Sequence, residues 1–195
     1  MPQLRSKDLI FAAINGALIG IFAPFIFTNL GAHLPVSRSI FALIITLLAI
    51  LGLATGYWLA RFVRPFFYQL AKFGLVGGSN TIIDAGIFSL CIFLSGATAG
   101  IFIPVFRSFS VVVAIVNSYL WNKHWSFQKQ DSVADSQEFF RFIFVSAIGM
   151  VLNVGITTLL TNVLGPQFGV TATAWATLAG VIPVPLVLLW NFVGY

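Results

Sequence analysis

Apolar and polar positions along this chain alternate in long blocks rather than in short periods. Six apolar runs stand out: Leu9 to about Leu30, Ser39 to Ala60, Phe73 to Leu94, about Phe106 to Asn122, Phe142 to about Leu164, and about Thr173 to the C-terminus. A helix needs roughly 20 apolar residues to cross the hydrocarbon core of a bilayer. The pattern therefore predicts an all-α, polytopic membrane protein of six transmembrane helices. Pro24 lies inside the first run and predicts a kink there. The first run is longer than the apolar core of a signal peptide, and no small-x-small cleavage site follows it, so it reads as a span. Between runs two and three, Arg61-Phe-Val-Arg-Pro-Phe-Phe-Tyr-Gln-Leu-Ala-Lys72 is basic and aromatic, a composition suited to the headgroup layer.

Composition sharpens this picture. Of 195 residues, 59% are hydrophobic and only 8% charged, against roughly 25% charged in an ordinary soluble domain. Mean hydropathy is +1.00. The net charge of +5 does not imply nucleic acid, because the basic residues sit between apolar runs instead of clustering on one face. Their distribution carries topology. Arg5, Lys7, Arg61, Arg64, Lys72, Lys123, Lys129 and Arg141 fall on one side of the six runs, and Arg38 and Arg107 on the other. The positive-inside rule puts the first group, and both termini, in the cytoplasm. Cys91 is the single cysteine and can form no intrachain disulfide.

The last two-thirds of the chain repeats itself. A shift of 69 positions maps Phe73 onto Phe142, Gly86 onto Gly155, Gly96 onto Gly165, Gly100 onto Gly169, and Leu120-Trp121-Asn122 onto Leu189-Trp190-Asn191. It also maps Asp84 onto Asn153 and Lys72 onto Arg141. Each copy holds two spans, so the copies share one orientation and are related by an axis along the membrane normal. The organisation expected is an N-terminal transmembrane hairpin with its basic linker over 1–67, and a four-helix domain of two tandem two-helix repeats over 68–195. The hairpin could pack on the core, support a partner or mediate oligomerisation.

Candidate chemistry centres on Asp84, the one acidic residue within the six runs. Twelve residues beyond Lys72 it lies about 18 Å along a helix, near the bilayer centre. A carboxyl there is costly and usually faces the bundle interior, where it serves either function or helix packing. Gly77, Asn80, Asp84 and Phe88 share a helix face. On the fourth run, Arg107, Ser110, Ala114, Asn117, Trp121 and His124 do the same. The two helices are antiparallel, so a polar seam with Asn80 opposite Asn117 is expected. Gly77 and Gly78 are expected to let the backbones approach. Lys72, Lys123, His124 and Arg141 form a basic rim at the inner edge, suited to anionic headgroups. No nucleophile, phosphate loop or metal-ligand constellation is visible, so the chain reads as a non-enzyme without cofactor.

The stretch Lys72-Phe-Gly-Leu-Val-Gly-Gly-Ser-Asn-Thr-Ile-Ile-Asp84-Ala-Gly-Ile, followed by Asn117-Ser-Tyr-Leu-Trp-Asn-Lys-His-Trp-Ser-Phe127, resembles the GtrA-like family. Arg141-Phe-Ile-Phe-Val and Trp190-Asn191 continue the likeness, which covers about 68–195; Phe192 stands where the first copy has basic Lys123. The resemblance implies a small protein of the bacterial cytoplasmic (inner) membrane that flips a polyprenyl-phosphate-linked sugar for cell-surface polysaccharide synthesis. On that basis Lys72, Lys123 and Arg141 would hold the phosphate at the inner leaflet, with Arg107 receiving it on the outer side. Asn80, Asp84, Asn117 and Asn122 would bind the sugar, and Trp121 would stack on it. Two other functions stay open: a non-transporting adaptor that recruits a glycosyltransferase, and a small proton-coupled exporter with Asp84 as its proton site. Membrane lipid is an expected partner. A homodimer is a candidate assembly, because four spans are few to enclose a path.

Overall fold

The structure is a computed structural model that describes residues 3–121, 124–125 and 136–194, and the side chains of all these except 136–142 and 192–194. Among the described residues all regular structure is helical. The elements are α1 (Ser6–Asn29), α2 (Arg38–Phe62), α3 (Phe66–Ser95), α4 (Phe102–Trp121), α5 (Ser136–Leu159) with a π-helical last turn (Leu160–Leu164), α6 (Ala172–Val181) and α7 (Val184–Gly194). Six segments are long and apolar enough to cross a membrane: Ser6–Asn29, Arg38–Phe62, Phe66–Ser95, Phe102–Trp121, Ile143–Leu164 and Ala172–Asn191. These match the six runs read from the sequence, with three differences of physical origin.

First, α1 starts before its apolar run. Its first turn carries Asp8, which is buried at 1% exposure although it precedes Leu9. Second, the basic stretch before Lys72 is not a separate surface segment. After Pro65 the chain enters α3 at Phe66, so Lys72 is two turns inside a 30-residue helix. Third, the last span is split. Pro183 and Pro185 each lack a backbone donor, and the chain breaks after Val181 and restarts at Val184. Proline is tolerated where the new helix begins, because the first N–H groups of a helix have no intrahelical acceptor.

The chain forms two compact units. One comprises Met1–Pro24, His33–Ile83 and Val116–Gln130; the other comprises Phe25–Ala32, Asp84–Ile115 and Asp131–Tyr195. In the first unit, Ala12, Leu53, Ala60, Tyr68, Val76 and Trp125 form the core, with Phe11 and Trp121 packed against it. Helix contact there depends on small residues. A Cβ added at Gly16 would stand 2.7 Å from the Thr46 Cα, and one at Gly20 would stand 2.5 Å from the Ala42 Cα. A Cβ at Gly56 would collide with Ala71. These are the close approaches that small residues allow between membrane helices. Gly77 and Gly78, expected to do this, do not: a Cβ on either meets nothing within 4 Å.

The second unit is cored by Phe88, Ile92, Ile103 and Ala176. The 69-residue repeat is visible in its loops. Gly96 and Gly165 have φ of +69° and +65°, and Gly100 and Gly169 have +81° and +71°. The matched glycines thus serve matched left-handed turns that other residues rarely adopt. Asn162 ties one loop, donating to the Gly100 carbonyl at 3.1 Å and accepting from the Gly100 amide at 2.8 Å. The π turn leaves the Leu160 carbonyl to accept the Trp175 indole N–H at 2.8 Å.

Candidate functional site

Among the described residues, three polar assemblies join the helices around the candidate site residues. The second unit holds an ion pair between Asp84 on α3 and Arg107 on α4. The Arg107 Nη1 donates to Asp84 Oδ1 at 2.8 Å and Nη2 donates to Oδ2 at 2.9 Å, a two-pronged fit of planar groups. The Arg107 Nε donates to Asn153 Oδ1 on α5 at 2.6 Å. The Ser110 hydroxyl also donates to Asp84, at 2.8 Å. The guanidinium carbon lies 5.3 Å from the centroid of the Phe88 ring, and that ring rests on Gly180, where a Cβ would come within 2.6 Å. The Arg107 side chain is 0% exposed and the Asp84 side chain 14%.

Arg107, which the sequence assigned to the outer side, is fully buried and already paired. It is enclosed, and it joins Asp84 to Asn153, the two positions that the 69-residue repeat makes equivalent. Its own repeat equivalent is Ala176, which is fully buried. One arginine from one copy thus serves both. Asp84 is paired with a cation from the next helix, where the sequence placed it among amide neighbours.

The first unit holds a second buried ion pair, which the sequence did not reveal. The Lys72 Nζ donates to Asp8 Oδ1 at 2.7 Å, and the Trp125 indole N–H donates to the same oxygen at 2.8 Å. Asp8 Oδ2 accepts the Arg5 amide at 3.1 Å. The ammonium also lies over the Tyr68 ring, 4.5 Å from its centroid. Side-chain exposures are 6% for Lys72 and 1% for Asp8. Lys72 is therefore not an open cation at the membrane edge; its charge is met by a carboxylate from α1. One heptad further along both helices, the Ser79 hydroxyl donates to Asn15 Oδ1. Both pairs are separated by 64 residues in sequence, so α1 and α3 run parallel and keep one register. The signal for this ladder was present in the seven-residue spacing of Asp8 and Asn15, but Asp8 sits just outside the apolar run.

The third assembly, also in the first unit, is a ladder of neutral groups. The Asn117 Nδ2 on α4 donates to Asn80 Oδ1 on α3 at 3.3 Å, and the Trp121 indole N–H donates to Asn117 Oδ1 at 3.0 Å. The structure thus brings Asn80, Asn117 and Trp121 together. All three are partly exposed, as Asp84 is, whereas Asp8, Lys72 and Arg107 are buried. The neighbouring face of α3 is bare: Gly74, Gly77 and Gly78 are exposed, and a Cβ on any of them meets nothing within 4 Å. His124 is exposed. Asn122 and Lys123 lie outside the described residues. Arg141 lies in α5, but its side chain is outside the described ones.

Residues 72–195 match the family described as GtrA/DPMS, transmembrane domain. A relative, the uncharacterized membrane protein YngA of Bacillus subtilis (strain 168), is 37% identical over 91 residues, which are 47% of this chain and 55% of that protein. The matched stretch thus spans about half the length of the relative. No solved structure matches the chain.

Proposed function

This chain belongs to the GtrA/DPMS transmembrane-domain family, and we propose that it moves a polyprenyl-phosphate-linked sugar across the bacterial cytoplasmic membrane for cell-surface polysaccharide synthesis. The observation that carries this reading is the partly exposed Asn80–Asn117–Trp121 ladder. Amides and an indole N–H left incompletely buried in spanning helices are costly in lipid unless they meet polar partners. Sugar hydroxyls donate and accept, as these amides do, and the indole face can stack on a sugar ring. The bare glycine face beside Asn80 lets a headgroup approach the backbone of α3. The polyprenyl tail stays in lipid, so only the headgroup needs a polar route.

The phosphate falls to Lys123 and Arg141, because Lys72 is already neutralised by Asp8. Asn122 lies beside Lys123 in sequence and is assigned to the sugar. The excess of basic residues on one side of the spans supports a cytoplasmic position for both termini. The geometry does not favour a proton-coupled exporter, since both Asp84 oxygens are engaged by a guanidinium that is itself enclosed.

The test is reconstitution into vesicles with a fluorescent polyprenyl-phosphate sugar, following its protection from an impermeant reagent. Transfer above protein-free vesicles is expected. It should fall about tenfold in the Asn80→Leu, Asn117→Leu double variant, the scale of one or two lost hydrogen bonds. Transfer by the double variant equal to that of the unaltered chain would discard the residue assignment. Absence of transfer, with a glycosyltransferase co-purifying, would replace the reading by the adaptor one.

A further inference from the structure

Asp8 lies outside the family-matched residues, which start at Lys72, and the proposed translocation does not use it. It is nevertheless the acceptor on which a chain of contacts begins. The Trp125 N–H is held by Asp8 Oδ1 at 2.8 Å. The Trp125 ring meets the Trp121 ring edge-on, with centroids 6.0 Å apart. Phe11, on the same helix as Asp8, packs edge-on against both indoles at 5.4 and 5.8 Å. Trp121 donates to Asn117, and Asn117 donates to Asn80. Every link lies within the first unit.

From this chain we infer that Asp8 is a positioning residue for the sugar-binding ladder: by holding Trp125 it fixes the rotation of Trp121 and hence of the Asn117–Asn80 amide pair. The physical case rests on what each link can do. An indole N–H has one donor, so its ring orientation is set by where its acceptor stands. Edge-on aromatic contacts have preferred geometry, so turning Trp125 displaces Trp121. The Trp121 N–H must then leave Asn117 Oδ1, and the amide pair loses the bond that orients it. The charge on Asp8 is met by Lys72 at 2.7 Å, so the acceptor can stay buried without an unpaired charge. The N-terminal hairpin thus shapes recognition of the headgroup through Trp121, without any of its own residues being assigned to the sugar. The inference rests on the translocation reading for its substrate, but its geometry can be tested separately.

The experiment uses the full chain in lipid nanodiscs and in vesicles, unaltered and as Asp8→Leu, Asp8→Asn and Trp125→Phe. Two quantities are read: the apparent KM for a fluorescent polyprenyl-phosphate sugar, and the hydrogen-exchange protection of the Trp121 indole N–H by NMR. Asp8→Leu removes the acceptor, and Trp125→Phe removes only the donor while keeping a ring against Phe11 and Trp121. Both are expected to raise KM about five- to tenfold, as for one lost hydrogen bond, and to lose Trp121 protection. Asp8→Asn, whose amide oxygen still accepts, is expected to change both quantities less. If Asp8→Leu fails to fold, Trp125→Phe carries the test. Unchanged Trp121 protection and KM in folded Trp125→Phe would overturn the inference and leave Asp8 a purely structural residue. If no chain moves the sugar while Trp121 protection still follows the acceptor at position 8, the positioning role stands and the translocation reading falls.

Discussion

Asp84 and Arg107 show how much a single pairing changes the meaning of a residue. A carboxylate in the middle of a spanning helix reads as a site for protons or substrate, and a basic residue in the next helix reads as a boundary cation. Paired, they neutralise each other, and their hydrogen bonds extend to Ser110 and Asn153. A buried ion pair returns little net stability, because two charges must be stripped of water, but losing one partner leaves the other uncompensated. The expected consequence is asymmetric. Asp84→Leu or Arg107→Met alone should destabilise by roughly 3–5 kcal/mol, while the double variant should recover most of that loss. Thermal unfolding followed in one detergent compares the four proteins. A double variant as unstable as the sum of the singles would show that the two groups act separately.

At the scale of helices, the α1–α2 and α2–α3 contacts are set by absent side chains. Gly16 and Gly20 are one turn apart on α1 and face Thr46, Ala49 and Ala42 on α2. Lipid is as apolar as leucine, so burying leucine between these helices brings no hydrophobic gain, and the attraction comes from close packing. Gly16→Leu or Gly20→Leu should separate α1 from α2, where Gly77→Leu, on the bare face of α3, should leave packing intact. Cysteine pairs placed at positions 13 and 49 report the difference: cross-linking should drop severalfold in the first two variants and persist in the third. Equal cross-linking in all three would mean that the close approach is not needed. The six runs of apolar residues were legible because lipid selects length and composition directly. The glycine contacts were not, since Gly16, Gly20, Gly56, Gly77 and Gly78 look alike until the facing helix is known.

For the molecule as a whole, the fold, the family and the 69-residue repeat could be read from the sequence, and Asn80, Asn117 and Trp121 could be grouped by helical spacing together with the antiparallel run of two successive spans. The two ion pairs could not. Helical periodicity says which residues share a face, but Asp8 lies outside its apolar run and meets Lys72 across 64 residues, and Arg107, assigned to the outer side, meets Asp84 across 23; packing decided both. The family match begins at Lys72, which suggests that the N-terminal hairpin is dispensable; the register of α1 on α3 argues otherwise. Without residues 1–64, Lys72 loses its carboxylate, Ser79 loses Asn15, and Trp125 loses its acceptor. An ammonium left facing lipid without its carboxylate costs several kcal/mol, a large share of the roughly 5–15 kcal/mol that holds a typical domain. The segment 65–195 expressed alone should therefore fail to give a monodisperse protein in detergent, judged by size-exclusion chromatography. Co-expressing 1–64 as a separate hairpin should restore it, because the ladder Asp8–Lys72 and Asn15–Ser79 needs juxtaposition and not a covalent link. The same hairpin carrying Asp8→Leu should restore it less well. A stable, monodisperse 65–195 would mean that lipid or water satisfies Lys72 as well as α1 does, and the hairpin would then be an addition to the fold instead of part of it.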